Sequence, residues 1–230
     1  PSVDAQLPSV GDDRFAGLQW RFVRIKYHYI TEGTRMAQEF YGEPWYIDAP
    51  AAEQNLSRRL KTATAIQVED PIVIALDDPR LFTYPWIYFV EPGFLKMTEG
   101  DVATLREFDV ELVVMAGFMR IITSVLLDAF PMRVMNIHPA LLPAFPGLHA
   151  QRQALEYGAK VAGCTVHFVD CGTDTGPIII QAAVPVLEGD TEESLCARIQ
   201  KEEHRIYPEA VRLFCEGLLQ VDGRVVTVSA

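Results

Sequence analysis

The sequence lacks the features that mark membrane-spanning, exported and disulfide-stabilised proteins. No apolar run approaches the roughly 18 to 20 residues that a membrane span requires, and the first residues, PSVDAQLPSVGDD, hold neither the basic nor the apolar segment of an export signal. The four cysteines form no CxxC pair, so we expect free thiols rather than disulfides or structural zinc. These absences predict a soluble, cytoplasmic protein.

Positive charge is also scarce. Lysine and arginine number 20 against 31 aspartates and glutamates, which gives a formal net charge of −11 and a pI near 4.9. Such a surface repels a phosphate backbone, although a local basic patch can still hold a small anionic substrate. We therefore expect small-molecule partners, no nucleic acid and no membrane, and the sequence leaves the oligomeric state open.

The 230 residues, 49% of them hydrophobic, suffice for one large α/β domain or two small ones. In the first half of the chain the apolar pattern is irregular. It predicts strands at 21–27, 71–76 and 86–91, a helix at 51–64, and a second helix that begins at a capping box of Thr98 and Asp101.

From residue 109 the pattern is regular. Strands are predicted over VELVVMAG, RVMNIHP, CTVHFV and IIIQAAVPV, and helices over about 122–130, 150–157 and 192–218. This alternation is typical of an α/β protein with a mostly parallel sheet. CTVHFV and IIIQAAVPV should form a hairpin at the sheet edge, and a last hairpin around Asp222 and Gly223 should close the chain. The change of character divides the chain into residues 1–108 and 109–230.

The MNIHP segment contains the first candidate site. Asn136 and His138 are two residues apart on a predicted strand, so their side chains lie on the same face. Pro139 lacks an N–H and ends the strand, which puts the pair at the carboxyl end, where open α/β sheets bind ligands. An amide beside an imidazole can stabilise an oxyanion and transfer a proton near pH 7. Taken alone, such a pair is more often a turn cap and a core histidine.

Two loops accompany this pair. LLPAFPG, residues 141–147, is stiffened by prolines, and DCGTDTGP, residues 170–177, is a polar turn between apolar strands. Loops on a rigid scaffold often carry function. Asp174 in isolation is a turn former. If it meets His138 in space, it orients the ring and favours the imidazolium.

These segments carry a family resemblance. AGFMRI, MNIHPALLPAFPGLHAQRQALEYG, CTVHFVDCGTDTGPIIIQAAVPVLEGDTEESL and QKEEHRIYPEAV resemble, in order and with uninterrupted spacing, the phosphoribosylglycinamide formyltransferases of purine biosynthesis over about residues 110–220. Methionyl-tRNA formyltransferases continue differently after the histidine loop, and formyltetrahydrofolate deformylase, which shares the Asn, His and Asp, remains an alternative. The resemblance implies a cytoplasmic enzyme of one-carbon metabolism. It also implies a three-layer, Rossmann-like α/β fold with a mostly parallel sheet and a C-terminal hairpin.

The resemblance further implies a mechanism and site residues. The substrate amine attacks the formyl carbonyl of the co-substrate 10-formyltetrahydrofolate, while Asn136 and protonated His138 stabilise the oxyanion and Asp174 holds His138 or a water; no metal is needed. Gln200 and Glu203 match positions near the glycinamide ribonucleotide, although both are otherwise ordinary helix-surface residues. The implied folate pocket comprises Met119, Arg120, Ile121, Ile122, Asp170, Cys171, Gly172 and Thr173.

Two other residues invite interpretation. His167 matches a histidine usual in the family, and its strand position suits a buried hydrogen-bonding role equally well. Cys171 lies in an acidic loop with no activating cation, and the family mechanism uses no thiol, so we predict no nucleophilic role for it.

One family element is not found. Members open with a strand and a glycine-rich loop, of the kind GxGSN, that binds the substrate phosphate. Here TEGTR, residues 31–35, offers a single glycine. The stretch with the elements SRRL, DPRLFTYP and VEPG instead resembles a bacterial flavodoxin-like domain family of unknown function. This pattern is compatible with a chimera of two α/β halves joined near residues 108–110.

Two hypotheses follow. In the first, the chain is an active formyltransferase, or a hydrolytic deformylase relative, that acts through Asn136, His138 and Asp174. In the second, it is a non-enzymatic α/β protein that retains only the folate-facing half of the site. The phosphate-binding loop separates them, because remote phosphate contacts position the amine for attack.

Overall fold

The computed structural model describes residues 19–26, 54, 55, 57, 58, 60, 66–76, 78–84, 87, 98–115, 122 and 124–229. The chain divides into two compact units, Pro1–Phe108 and Asp109–Ala230.

The first unit contains two pairs of parallel strands. Strand β1 (Gln19–Trp20) pairs with β3 (Gln67–Val68), and β2 (Val23–Lys26) pairs with β4 (Ile72–Ala75). The strands predicted at 21–27 and 71–76 are therefore confirmed in β2 and β4, and the described residues between 54 and 60 are helical, as predicted. The strand predicted at 86–91 lies outside the described residues apart from Ile87.

A short 3₁₀ helix, Pro79–Thr83, follows β4, and helix α1 (Glu99–Glu107) ends the first unit. The predicted capping box is present, because Thr98 Oγ1 accepts from the backbone N–H of Asp101 at 3.1 Å and the Asp101 side chain accepts from the N–H of Thr98 at 2.8 Å. Together these bonds satisfy two donors at the start of α1.

The second unit is built on a six-stranded sheet with the order β5-β6-β7-β8-β10-β9. The elements are β5 (Val113–Met115), α2 (Ser124–Ala129), β6 (Val134–His138), α3 (Ala150–Tyr157), β7 (Val161–Phe168), β8 (Ile178–Pro185), α4 (Glu192–Cys215), β9 (Leu219–Asp222) and β10 (Val225–Val228). Each predicted element of this half is found, except that α4 stops at Cys215. It stops there because Gly217 adopts a positive φ of 68° directly after the helix.

Parallel pairing predominates among the described strands, although the larger sheet is mixed. In the six-stranded sheet β5, β6, β8 and β10 run in one direction and β7 and β9 in the other, so the predicted α/β class with mostly parallel strands is confirmed. The antiparallel pairs are β6–β7, β7–β8 and β10–β9.

The predicted hairpin of β7 and β8 is present, but its placement at the sheet edge was wrong. Helix α4 returns the chain along the sheet, and the terminal hairpin then adds β10 to the open side of β8. The terminal hairpin around Asp222 and Gly223 is itself confirmed. As a result β7 lies inside the sheet, paired on both sides.

The core of this unit lies between the sheet and α4. Residues 162–168 of β7 are all buried, and α4 packs against β7 and β8 through side chains that recur at helical spacing. These side chains are Leu195, Ile199, Ile206 and Ala210, each at most 1% exposed. Full burial of one Leu or Ile side chain contributes about 1.5–3 kcal/mol. None of the described helices is long and apolar enough to cross a membrane.

The close approach of β7 to β8 yields a test of the fold. A Cβ added to Gly163 would lie 2.1 Å from the carbonyl oxygen of Ala182 and 2.8 Å from Cδ2 of Leu141. Because a strand carbonyl cannot yield as a side chain can, Gly163→Ala should lower the free energy of unfolding by about 1–3 kcal/mol, measured by urea denaturation.

Gly100→Ala is the matched control. In helix α1 the added Cβ meets, among the described residues, only Thr98 Oγ1, at 3.6 Å, and alanine is favoured over glycine in helices. Its stability should be unchanged or higher, and equal losses in both variants would contradict the close approach seen at Gly163.

Candidate active site

Four polar side chains share one face of the sheet at the carboxyl end of β6. Asn136 is paired with His167 of β7, and His138 is paired with Thr165. Because directly opposite residues of an antiparallel pair project to the same side, the predicted shared face of Asn136 and His138 also contains two β7 residues. Sequence reasoning missed Thr165, although a polar residue two positions from His167 in an apolar strand was a usable signal.

His138 is buried between two hydrogen-bond acceptors. The ring is 5% exposed, Nε2 donates to the carbonyl oxygen of Phe145 at 2.9 Å, and Nδ1 lies 3.4 Å from Oδ2 of Asp174. The predicted meeting of His138 and Asp174 in space is confirmed.

His167 faces the other oxygen of the same carboxylate. Its Nδ1 donates to the carbonyl oxygen of Phe168 at 2.8 Å, and its Nε2 lies 3.8 Å from Oδ1 of Asp174 without a hydrogen-bond partner. Burial lowers the pKa of His167, so the ring is neutral near pH 7 and Nε2 carries a lone pair. The buried hydrogen-bonding role of His167 is confirmed by the bond of Nδ1 to the backbone, and the other ring nitrogen faces Asp174.

A strained turn presents Asp174. The residue adopts a left-handed φ of 54°, and its Oδ2 accepts from the backbone N–H of Gly147 at 2.7 Å. The turn closes against β7, since a Cβ on Gly176 would lie 1.8 Å from the carbonyl oxygen of Phe168. Asp170 stabilises the same turn, because its Oδ1 accepts from Gly172 N at 3.1 Å and Thr175 Oγ1 at 2.6 Å.

Thr165 ties the proline-rich loop to the sheet. Its hydroxyl donates to the carbonyl oxygen of Ala140 at 2.7 Å and accepts from the N–H of Leu142 at 3.0 Å and from Nε2 of Gln181 at 2.9 Å. Gln181 Nε2 also donates to the carbonyl oxygen of Leu142 at 2.9 Å. The loop that offers its Phe145 carbonyl to His138 is therefore held at its other end by a buried network.

Asn136 and Glu203 add two buried or half-buried polar groups whose loss of contact with water is only partly offset by other interactions. Among the residues that the structure describes, the buried side-chain oxygen of Asn136 has no hydrogen-bond partner, a state that costs about 1–3 kcal/mol when nothing compensates it. Burial raises the pKa of Glu203, and the charges of His204 and His138 oppose this effect. The charge of His138 thus acts on Glu203, and Gln200 is exposed on α4. The substrate-binding roles of both residues stay predictions.

The other predicted site residues are placed only in part. Met119, Arg120 and Ile121 lie outside the described residues, as does the TEGTR segment, while Ile122 is half-buried beyond β5. Asp170, Cys171, Gly172 and Thr173 form the turn that leads to Asp174, and Cys171 is exposed. Within the part of the chain that the structure describes, no group of His, Cys, Asp and Glu side chains is arranged as a metal site.

The Thr165 network yields a stability test. Thr165→Val keeps the shape of the side chain but removes the hydroxyl that three groups use, so we expect a loss of about 2 kcal/mol in the free energy of unfolding. Thr165→Ser retains the hydroxyl. Its free energy of unfolding should stay close to that of wild type and fall only by the contribution of one methyl group. Equal losses in the two variants would show that packing, rather than hydrogen bonding, holds the loop.

Comparison with known families divides the chain in two overlapping parts. Residues 92–211, more than half of the chain, match the family described as formyl transferase. Residues 21–121 match a domain of unknown function (DUF4159). The predicted resemblance of the first half to a family of unknown function is thereby confirmed, and the two matches are compatible with a chimera.

Three relatives illustrate the similarity. The phosphoribosylglycinamide formyltransferase of Escherichia coli (strain K12) is 46% identical over 124 residues, which are 53% of this chain and 58% of that protein. The trifunctional purine biosynthetic protein adenosine-3 of Drosophila melanogaster is 50% identical over 121 residues, 53% of this chain and 9% of that protein. The crystal structure of glycinamide ribonucleotide transformylase 1 from Symbiobacterium toebii superposes with a TM-score of 0.58 at 42% identity, covering 93% of this chain and 96% of that one.

The chain thus spans at most 58% of the length of these two curated relatives. Its matched segment includes β6, the β7–β8 turn and most of α4, which together supply Asn136, His138, Asp174 and Glu203. The family match, the α/β fold shared with the solved transformylase and the clustered polar residues agree. The chain belongs to the formyl transferase family, with the Rossmann-like fold of the glycinamide ribonucleotide transformylases.

Proposed function

We propose that this chain transfers the formyl group of 10-formyltetrahydrofolate to the amine of glycinamide ribonucleotide, a step of de novo purine biosynthesis in the cytoplasm. The observation that supports it most directly is the placement of His138 between the Phe145 carbonyl and the Asp174 carboxylate. A protonated His138, together with the amide N–H group of Asn136 on the same strand face, would offer positive charge and hydrogen bonds to a developing oxyanion.

The proposed reaction needs no covalent enzyme intermediate. The amine attacks the formyl carbon, and the carbonyl oxygen becomes an oxyanion near Asn136 and His138. One proton must then leave the attacking nitrogen and another reach the departing folate nitrogen. Asp174 and the neutral Nε2 of His167, 3.8 Å apart, are acceptors within the site that can take part in this transfer, directly or through a water.

Glu203 suits the amine substrate by charge. A half-buried carboxylate attracts an ammonium group and is stabilised by it, so binding would offset the desolvation that raises the pKa of Glu203. The free-energy cost of desolvating Glu203 is present before the substrate binds, which is a common arrangement at functional sites.

The proposal is tested by following each ligand separately. We expect wild-type protein to bind both glycinamide ribonucleotide and a non-transferable folate analogue in calorimetric titrations, and to transfer the formyl group in a turnover assay. Folate binding without ribonucleotide binding would contradict the proposal and favour a half-site. Hydrolysis without transfer would indicate a deformylase-like reaction.

Asp174→Asn should reduce formyl transfer by at least about a hundredfold, because the neutral amide supplies no negative charge beside His138 and accepts no proton from the reacting groups. Its fold should persist, since the amide oxygen can still accept from the N–H of Gly147. Asp222→Asn, in the terminal hairpin, is the control and should turn over like wild type. Unchanged turnover in Asp174→Asn would refute the assigned role.

Glu203→Gln should change stability in a pH-dependent way. The pKa of Glu203 is raised in the folded state, so ionisation opposes folding. Below about pH 4 the carboxyl group is protonated in both states, and variant and wild type should melt together. As the pH rises through the raised pKa, wild type should lose stability relative to the variant, so at pH 8 Glu203→Gln should melt higher.

The control for this experiment is Glu188→Gln, which changes an exposed carboxylate in the loop before α4. Its melting temperature should follow that of wild type across the same pH range. If Glu203→Gln also follows wild type, burial of Glu203 does not oppose folding.

A further inference from the structure

Tyr207 of α4 reaches the carboxyl ends of β5 and β6. Its hydroxyl accepts from the backbone N–H of Met115 at 2.8 Å, and it lies 2.5 Å from the carbonyl oxygen of Met115 and 3.0 Å from that of Met135. A phenol has one proton, so the two carbonyls share it. Burial raises the pKa of Tyr207, and the side chain remains a neutral donor near pH 7.

The hydroxyl lies beside the backbone ladder between β5 and β6. The N–H of Val113 donates to the carbonyl oxygen of Arg133 at 2.8 Å, and the parallel register continues through Val114–Met135 and Met115–Asn136. Because bonds of a parallel ladder repeat every two residues on each strand, the following bond joins Met115 N and the Met135 oxygen. Tyr207 contacts both of these atoms. The side chain thus bridges the two strands at the point where they approach their carboxyl ends.

This point adjoins the candidate active site on both strands. On β6, Met135 precedes Asn136, which is paired with Met115 in the parallel register. On β5, Met115 is the last strand residue before the segment that includes Met119, predicted to line the folate pocket. Ligands of open α/β sheets bind in the crevice outside the carboxyl ends of the strands. Tyr207 therefore holds the two strands together next to the place where a ligand is expected.

We infer that Tyr207 is a positioning residue, whose hydroxyl bridges β5 and β6 and thereby sets the entrance for the folate co-substrate and the direction of the Asn136 amide. The identity of the co-substrate rests on the proposed function. The inference concerns the folate side of the reaction.

Tyr207→Phe tests the inference, because phenylalanine fills the same space and removes only the hydroxyl. We expect the affinity for a non-transferable folate analogue, measured by calorimetry, to fall by about tenfold, as the loss of one effective hydrogen bond predicts. In the turnover assay KM for the folate should rise and kcat should fall, while KM for glycinamide ribonucleotide should stay within about twofold of the wild-type value.

Ile199→Val is the matched control for a purely structural effect. Ile199 lies on the same helix, is 1% exposed, and loses one methyl group from the core in this variant. We expect Ile199→Val to lower the melting temperature about as much as Tyr207→Phe does. Unlike Tyr207→Phe, it should leave the folate affinity unchanged. An equal fall in folate affinity in both variants would overturn the inference, as would an unchanged affinity in Tyr207→Phe.

The same measurements separate this inference from the proposed function. If wild type binds the folate analogue but transfers no formyl group, the proposed function fails and the binding comparison still tests Tyr207. If transfer proceeds and Tyr207→Phe binds and turns over folate normally, only the inference fails. If wild type binds no folate, both are refuted.

Discussion

The Asp174 carboxylate is the group on which the candidate active site depends. One oxygen lies 3.4 Å from Nδ1 of His138 and the other 3.8 Å from Nε2 of His167. His138 donates its other ring N–H to a carbonyl oxygen, whereas burial lowers the pKa of His167. A single carboxylate therefore lies beside two imidazoles in different surroundings, the kind of difference that separates acid and base roles.

The fold holds this carboxylate by restraining the turn and the loop around it. Gly176 lets the turn close on β7 where any Cβ would meet a carbonyl, and Asp174 itself takes a left-handed conformation. On the opposite side Thr165 holds the proline-rich loop whose Gly147 N–H donates to Asp174. Because both restraints attach to β7, which lies inside the sheet, the geometry of the site is that of a rigid strand rather than of free loops.

Several polar groups near the end of β6 lower the stability of the folded protein rather than raise it. Asn136 and His167 each keep a buried polar atom without a partner, and Glu203 is desolvated. The core between α4 and the sheet offsets these costs with a stripe of fully buried aliphatic side chains. Groups left uncompensated within one cluster, beside a well-packed core, are the pattern expected where a ligand completes the interactions.

Local periodicity determined much of this protein from the sequence alone. It predicted the elements of the second unit and the shared face of Asn136 and His138, because alternation along a strand depends only on neighbouring residues. Local periodicity does not encode the order of strands in a sheet, so the prediction wrongly placed the β7–β8 hairpin at the sheet edge. Tertiary structure alone decided that His167 meets Asp174 and that Tyr207 reaches Met115, 92 residues away. Such contacts depend on how the sheet is ordered and how α4 packs on it, and no local pattern encodes either.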